Sequence, residues 1–513
     1  MTGLATLTSR ILGLVRDQFL AAIFGAGSDM DAFLVAFRIP NLVRDLFGEG
    51  AMSAAFVPTF TRRLTVDGKP AAWHLANNLI NALIVSTGAL VVVGIVFAPS
   101  IVGAYARDFS AVPGKLELTI ALTRVLLPFL TMVALAAAFM GMLNSLHHYF
   151  IPALSPALFN VAIIAGAFAC VPLMPALGLP RISAIAVSAL VGGALQVLVQ
   201  WPSLRAEGFR YRPVLDVADP GLRQVLILMG PGTVGLAATQ VNLFINTLLA
   251  TTQGTGAVSW LSYAFRLMYL PIGLFGVSIA TAALPAVSRY AAAGDRAGIR
   301  QTVAQSIAMM MVLNVPATFG LVALSEPIVR LLFERGRFLA SDTSATAAAL
   351  RFYAVGLVGY ATARIASPVF YALRRSHVPV IVSISTIAVN VVLNVVLVRV
   401  LGFRGLALGT SIAMIANGGV LLVLLQRHLD GLEGRRLLTT FAKILAASCV
   451  MAAAAYAVER ALTSFLPGMH VVPQAVRLFS AIGAGILVLV VSAKVLYIRE
   501  LDEALSDIKA RLT

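Results

Sequence analysis

The sequence predicts an all-α polytopic membrane protein of about 14 transmembrane helices, built as two six-helix lobes in parallel repeat with two C-terminal helices added. Three observations predict it. Of the 513 residues, 59% are hydrophobic and 12% charged, and the mean hydropathy is +0.92, whereas soluble domains carry about 25% charged residues. Apolar stretches long enough to cross a bilayer, roughly 20 residues in a helix, recur from one end to the other, and nothing between them is long enough for a separate soluble domain. Finally, three short patterns recur at an offset of 227 or 228 residues.

Taken in order, the first span covers residues 4–24, and because it carries Arg10, Arg16 and Asp17 and lacks an A-x-A-like cleavage site, it is expected to be a retained helix, not a signal peptide. The second, 31–60, is interrupted by Phe47-Gly48-Glu49-Gly50-Ala51. Apolar runs at 76–98, 116–145, 153–172 and 182–203 complete a first lobe, 1–215. Span seven, 222–251, contains Met229-Gly230-Pro231-Gly232 near its start, and spans eight to twelve follow at 257–288, 299–324, 345–373, 379–400 and 404–427, closing a second lobe, 216–430. Spans 438–460 and 474–497 and the tail belong to 431–513, where Leu501, Leu505, Ile508 and Leu512 at helical spacing predict a short helix at the membrane surface.

An even number of spans puts both termini on one side. With the termini cytoplasmic, the inside loops and tail hold roughly 20 Lys and Arg against about 10 outside, the bias that the positive-inside rule requires. The formal net charge of +16 is therefore a topology signal. It is spread over short loops without interleaved aromatics, which argues against nucleic acid as a partner.

The repeat pairs Ala36-Phe37-Arg38-Ile39 with Ala264-Phe265-Arg266-Leu267, Val57-Pro58 and Arg62 with Leu284-Pro285 and Arg289, and Leu146 and Pro152 with Leu373 and Pro379. Six spans separate matching positions, so the halves have the same orientation and are related by an axis along the membrane normal.

An arginine in the middle of a span costs about 2.5–3.5 kcal/mol on insertion scales, so each needs a partner, water or a function. Arg10, Arg16, Arg38, Arg44, Arg124, Arg266, Arg351 and Arg364 are such residues, against few acids: Asp17, Asp31, Asp45 and Glu49 in the first two spans. Arg10 with Asp17, and Arg38 with Asp45, have the spacing of seven that places both on one helix face. Arg38, Arg124, Arg351 and Arg364 taken singly fit structural pairing or snorkelling. Arg16, Arg44 and Arg266 as a set fit a wet cavity in which guanidinium groups bind phosphate oxygens bidentately. Gly48, Glu49 and Gly50, and Gly230 with Pro231, are candidate hinges, with close helix packing as the alternative.

Catalytic constellations are absent from the sequence: there is no GxxxxGK[ST], no HExxH and no cysteine pair at metal spacing, so the chain is expected not to be an enzyme. Cys170 and Cys449 lie far apart in apolar runs and imply neither disulfide nor metal. His147-His148 is expected to be a solvated pair.

Ser9-Arg10-Ile11-Leu12-Gly13-Leu14-Val15-Arg16-Asp17, Phe24-Gly25-Ala26-Gly27 with Asp31-Ala32-Phe33, Pro40-Asn41-Leu42 with Arg44, and Gly48-Glu49-Gly50-Ala51 with Phe56-Val57-Pro58 closely resemble the MurJ (MviN) family of lipid II flippases, within the MOP exporter superfamily. Weaker similarity runs through Met229-Gly230-Pro231, Ser259-Trp260 with Tyr263, Arg266-Leu267 and Gly336-Arg337-Phe338. The resemblance implies a bacterial inner-membrane transporter that moves lipid II, an undecaprenyl-pyrophosphate glycolipid of peptidoglycan synthesis, by alternating access through a cationic cavity. It implies substrate-binding roles for Arg10, Arg16, Asp17, Asp31, Arg44 and Arg266, and a C-terminal groove for the lipid tail. Implied partners are the glycolipid, membrane lipids and cell-wall synthesis proteins. No cofactor is expected, and the implied coupling is to the membrane potential or a monovalent cation.

The chain departs from the family pattern in two places. Positions that carry carboxylates in a sodium-binding pattern of some members match Asn246 and Asn394, beside Asn390 and Thr410, which makes a weak sodium site without a carboxylate. Phe265 and Tyr269 replace acidic residues that flank the span-eight arginine in some relatives. Rival readings are a flippase for another polyprenyl-pyrophosphate oligosaccharide, a MATE-like cation-coupled exporter and a non-transporting cell-wall scaffold.

Overall fold

The computed structural model describes residues 2–45, 52–273, 277–468, 470–498 and 500, and their side chains except those of 2–6, 43–45, 52–54, 230–239 and 277–278. The described chain is helical and divides into two compact units, Met1–Ser259 with Arg335–Phe338, and Trp260–Glu334 with Leu339–Thr513.

The first unit comprises α1 (Thr2–Phe24), α2 (Ser28–Asp45), α3 (Met52–Val66), α4 (Gly68–Tyr105), α5 (Lys115–Leu126), α6 (Phe129–Ser145), α7 (Phe150–Ala169), α8 (Ser183–Leu198), α9 (Trp201–Ala206) and α10 (Pro220–Thr251). The second holds most of α11 (Ala257–Pro271), then α12 (Val277–Ala293), α13 (Arg296–Ala323), α14 (Ser325–Phe333), α15 (Ala340–Val355), α16 (Leu357–Ala372), α17 (His377–Leu401), α18 (Phe403–His428), α19 (Gly434–Phe465) and α20 (Val471–Val495).

Each predicted span has a helical counterpart, and two apolar runs divide into two helices within the described residues, α5–α6 and α15–α16, whereas the junctions between α2 and α3 and between α11 and α12 lie outside them. Between α5 and α6 the break falls at Leu127-Pro128, where proline cannot continue the ladder of backbone hydrogen bonds. Among the described residues nine helical runs are long and apolar enough to cross a membrane. Of the intramembrane arginines named above, Arg124 alone lies in one of these nine. The others sit on α1, α2, α11, α15 and α16, none of which is among the nine. The Gly230-Pro231 pair lies within the continuous backbone of α10.

Small residues bring helices close, as expected where van der Waals packing drives association. A Cβ at Gly166 of α7 would lie 1.7 Å from the Ser188 hydroxyl of α8. In the second unit a Cβ at Gly359 of α16 would lie 2.5 Å from the Ile415 backbone of α18. The core of the first unit gathers Phe56, Phe60, Trp73, Phe139 and Phe209, and that of the second gathers Ile307, Val315, Phe370, Leu421 and Ile444. The C-terminal pair α19–α20 packs on α13.

The connection between α9 and α10 is pinned to α4 by an asparagine ladder. Asn77 Nδ2 donates to the Arg210 carbonyl (3.0 Å) while its Oδ1 accepts from the Arg212 N–H (2.8 Å). Asn78 makes the same reciprocal pair with Asp216 (2.7 and 2.8 Å), and Asn81 accepts from the Tyr211 hydroxyl (2.6 Å). Backbone groups of an extended connection thereby find partners that a helix would have supplied internally. Asp219 then caps α10 through the Gly221 and Leu222 N–H groups and receives Arg63 Nη2 at 3.2 Å. Nearby, His148 is not simply solvated: it meets Glu207 at 2.8 Å, and Lys69 meets the same carboxylate at 2.9 Å. These two contacts hold the Glu207 carboxyl below its ordinary pKa.

Candidate functional site

In the first unit the arginine-rich α1 lies along α7. Arg16 is held at three points: Nε and Nη2 donate to Asp17 Oδ1 at 3.1 and 2.9 Å, and Nη1 donates to Asn160 Oδ1 at 2.9 Å. Asn160 Nδ2 donates in turn to the Ser9 carbonyl at 3.1 Å, and the guanidinium lies 5.8 Å from the centre of the Phe159 ring. The Arg16 side chain is 13% exposed and that of Asp17 6%. An arginine bound in this way is fixed within an apolar span and does not snorkel to the surface. Asn160 was absent from the sequence-level candidates. Its signal is an amide in the middle of the otherwise apolar run of α7.

Arg10 is exposed on the same helix. Arg44 lies on the described backbone of α2, but its side chain is outside the described residues, as are Gly48, Glu49 and Gly50 entirely.

The structure places Asp31 in a different environment from Arg16. It is fully buried near the start of α2, where Oδ2 accepts from Lys115 Nζ (2.9 Å) and the Gly256 N–H (2.7 Å), and Oδ1 accepts from the Ser259 hydroxyl (2.7 Å) and N–H (3.1 Å). Lys115 is itself buried, with its ammonium 3.9 Å from the centre of the Phe109 ring. One carboxylate thus ties together the first turns of α2, α5 and α11. Buried charge is tolerated when it is paired and hydrogen-bonded, and here both conditions hold.

A second tie lies at the other end of the α1 to α2 turn. The Arg337 N–H donates to the Ala22 carbonyl at 2.8 Å. Gly25 (φ 65°) and Gly336 (φ 59°) face this contact, and a Cβ on either would fall within 2.4 Å of the opposite backbone oxygen. Glycine is required at both positions by conformation and by space.

In the second unit Arg266 sits half-buried on α11. Around it an aromatic series crosses from α11 to α15 and α16: Phe265 against Tyr269 (6.0 Å between ring centres), Phe265 against Tyr353 (5.5 Å) and Tyr269 against Tyr360 (5.8 Å). Arg351 donates to the Ser325 hydroxyl at 2.7 Å and approaches Glu326 at 3.8 Å. In the first unit Arg124 donates to the Ile95 carbonyl at 3.3 Å.

The four residues singled out as a weak sodium site, Asn246, Asn390, Asn394 and Thr410, are divided between the two units. Asn246 belongs to α10 in the first unit, and the others to α17 and α18 in the second. Asn394 Nδ2 donates to Asn390 Oδ1 at 3.1 Å, while the Thr410 hydroxyl donates to the Leu406 carbonyl at 2.8 Å. Among the described residues no group of three His, Cys, Asp or Glu could hold a metal ion.

The family model for the lipid II flippase MurJ matches residues 20–475. The probable lipid II flippase MurJ of Bdellovibrio bacteriovorus is 34% identical over 481 residues, 93% of this chain and 91% of the relative. The lipid II flippase MurJ of Burkholderia cenocepacia is 35% identical over 427 residues, 82% of each chain. A solved structure of the lipid II flippase MurJ in an inward closed conformation superposes with a TM-score of 0.80 at 27% identity, covering 98% of this chain and 99% of that one. An inward-facing multidrug resistance MATE transporter of the MOP superfamily superposes with a TM-score of 0.69 at 17% identity over 83% of this chain and 96% of that one, a likeness of fold alone.

Proposed function

The chain belongs to the MurJ family of lipid II flippases, and from that premise we propose how its own residues carry the lipid. It is a multi-pass inner-membrane transporter, not an enzyme, and its substrate is lipid II. Transport proceeds by alternating access. Arg16 in the first unit and Arg266 in the second are assigned to the pyrophosphate, with Arg10 and Arg44 as further cationic candidates of the first unit. Asp17 orients Arg16, and Asp31 acts as an anchor at the helix ends without touching the cargo. The lobe boundaries near residues 215 and 430, cytoplasmic termini and flexing near Gly48 to Gly50 and at Gly230-Pro231 belong to the same reading.

The observation that carries it is the Arg16–Asp17–Asn160 network. A guanidinium whose Nε and one Nη are committed to Asp17 is pre-oriented, so binding an anion costs it little further rotamer entropy. The MATE-like likeness fits a shared fold, but an exporter of cations would need acids where this chain places arginines.

Replacing Arg16 or Arg266 with alanine should abolish growth of a strain depleted of its own flippase, with the variant still present in the membrane at the normal level. Translocation of labelled lipid II by each purified variant in proteoliposomes should fall at least tenfold, the value of roughly 1.4 kcal/mol. Full growth with either replacement would remove that arginine from the site.

A further inference from the structure

Arg364 is an intramembrane arginine of the second unit. It lies on α16, eight residues before the helix ends at Ala372, which puts it about 12 Å along the axis from that end. Its Nη2 donates to the Tyr269 hydroxyl at 2.6 Å, and its guanidinium carbon is 5.8 Å from the centre of the Tyr360 ring. Tyr269 lies twelve residues after the start of α11, about 18 Å from the opposite end of the unit's span. The group therefore lies well inside both helices and within two of the predicted spans, not at a loop, where a hydrocarbon core about 30 Å thick would surround any lipid-facing side chain.

The side chain is nonetheless exposed, and no carboxylate among the described residues pairs with it. An exposed cation at that depth facing lipid would carry the full penalty for a charge in hydrocarbon. A tyrosine hydroxyl neutralises none of the charge. The face of the second unit that bears Arg364 is consequently a wetted face. Tyr269 is three residues from Arg266 on α11, one turn apart, so two guanidinium-bearing positions adjoin one aromatic cluster.

We propose that Arg364, held in place by Tyr269 and Tyr360, is a pyrophosphate-binding residue of the second unit. This rests on the lipid II reading above and adds a residue and a local architecture to it. The tyrosine hydroxyl fixes the orientation of the guanidinium through one nitrogen and leaves the remaining N–H donors to take phosphate oxygens in the fork geometry that arginine favours. The phenol of Tyr269 positions Arg364 without compensating its charge.

The test uses the full chain in nanodiscs of zwitterionic lipid and measures the affinity for lipid II and for undecaprenyl pyrophosphate, which lacks sugar and peptide. Arg364→Ala should weaken both ligands by a similar factor, about ten- to a hundredfold, as for the loss of one charged hydrogen-bonding group. Arg364→Lys should recover part of the affinity, and Tyr269→Phe should lose several-fold while keeping the arginine. Unchanged thermal unfolding of Arg364→Lys and Tyr269→Phe separates these effects from misfolding. Wild-type affinity in Arg364→Ala, or a loss confined to lipid II, would overturn the pyrophosphate assignment. If the unaltered protein failed to prefer lipid II over neutral phospholipid, the lipid II reading itself would fail.

Discussion

At the scale of the residue, two buried acids of the first unit do different work. Asp17 sits beside an arginine fixed within the span, and Asp31 is enclosed by four donors. Removing one partner of a buried pair leaves the other charge uncompensated and costs about 3–5 kcal/mol, whereas removing both can be nearly neutral. Asp31→Asn and Lys115→Met should therefore each lower the thermal unfolding temperature in detergent, and the double variant should recover more than about 1 kcal/mol relative to their sum. Additive losses would show that the ion pair is not what holds the site. The sequence made Asp31 conspicuous as an acid in an apolar chain, but not its partner. Lys115 lies 84 residues away, at a separation where no helical periodicity operates. Arg16 was legible for the same reason of cost, while its pairing with its immediate neighbour runs against the rule that adjacent residues point to different faces. The length of the arginine side chain permits it.

At the scale of the element, the repeat read from three short patterns is carried through the helix starts. Gly68 of α4 and Arg296 of α13 are 228 residues apart, and Phe150 of α7 and His377 of α17 are 227 apart. The lysine-to-Asp31 tie near the starts of α5 and α2 has a counterpart between α15 and α11, where the Trp260 indole N–H donates to Asp342 at 2.9 Å. Place is conserved between the halves, and chemistry is not. What periodicity could not supply is where a single apolar run divides into two helices, because hydropathy is continuous across Gly356 and Leu127-Pro128. Loop glycines were legible as motif letters, and their reason is steric. At Gly336 a Cβ would meet the Ala22 oxygen at 2.2 Å, whereas at Gly178, which has a similar φ of 69°, it would meet nothing within 4 Å. Gly178→Ala should cost only the left-handed backbone penalty, about 1–2 kcal/mol. Gly336→Ala should cost clearly more in unfolding midpoint and should speed proteolysis of the 335–338 segment. Equal losses for the two would mean that the contact with α1 contributes nothing.

At the scale of the whole molecule, the excess of +16 formal charges bears on the proposed transport cycle through the arginines assigned to the cargo. On the proposed reading, bound pyrophosphate would neutralise the arginines, and after its release an interior-negative potential would draw the empty cationic site back toward the cytoplasm. One elementary charge crossing 100 mV is worth about 2.3 kcal/mol, or about fiftyfold in rate if the return limits the cycle. In proteoliposomes with a potassium diffusion potential set by valinomycin, lipid II movement should therefore accelerate as the interior is made negative and slow when the potential is collapsed. Replacing sodium by choline at constant potential should leave the rate unchanged. A rate that ignores the potential and follows sodium would reverse this assignment and return the amide cluster of α17 to the centre of the coupling mechanism.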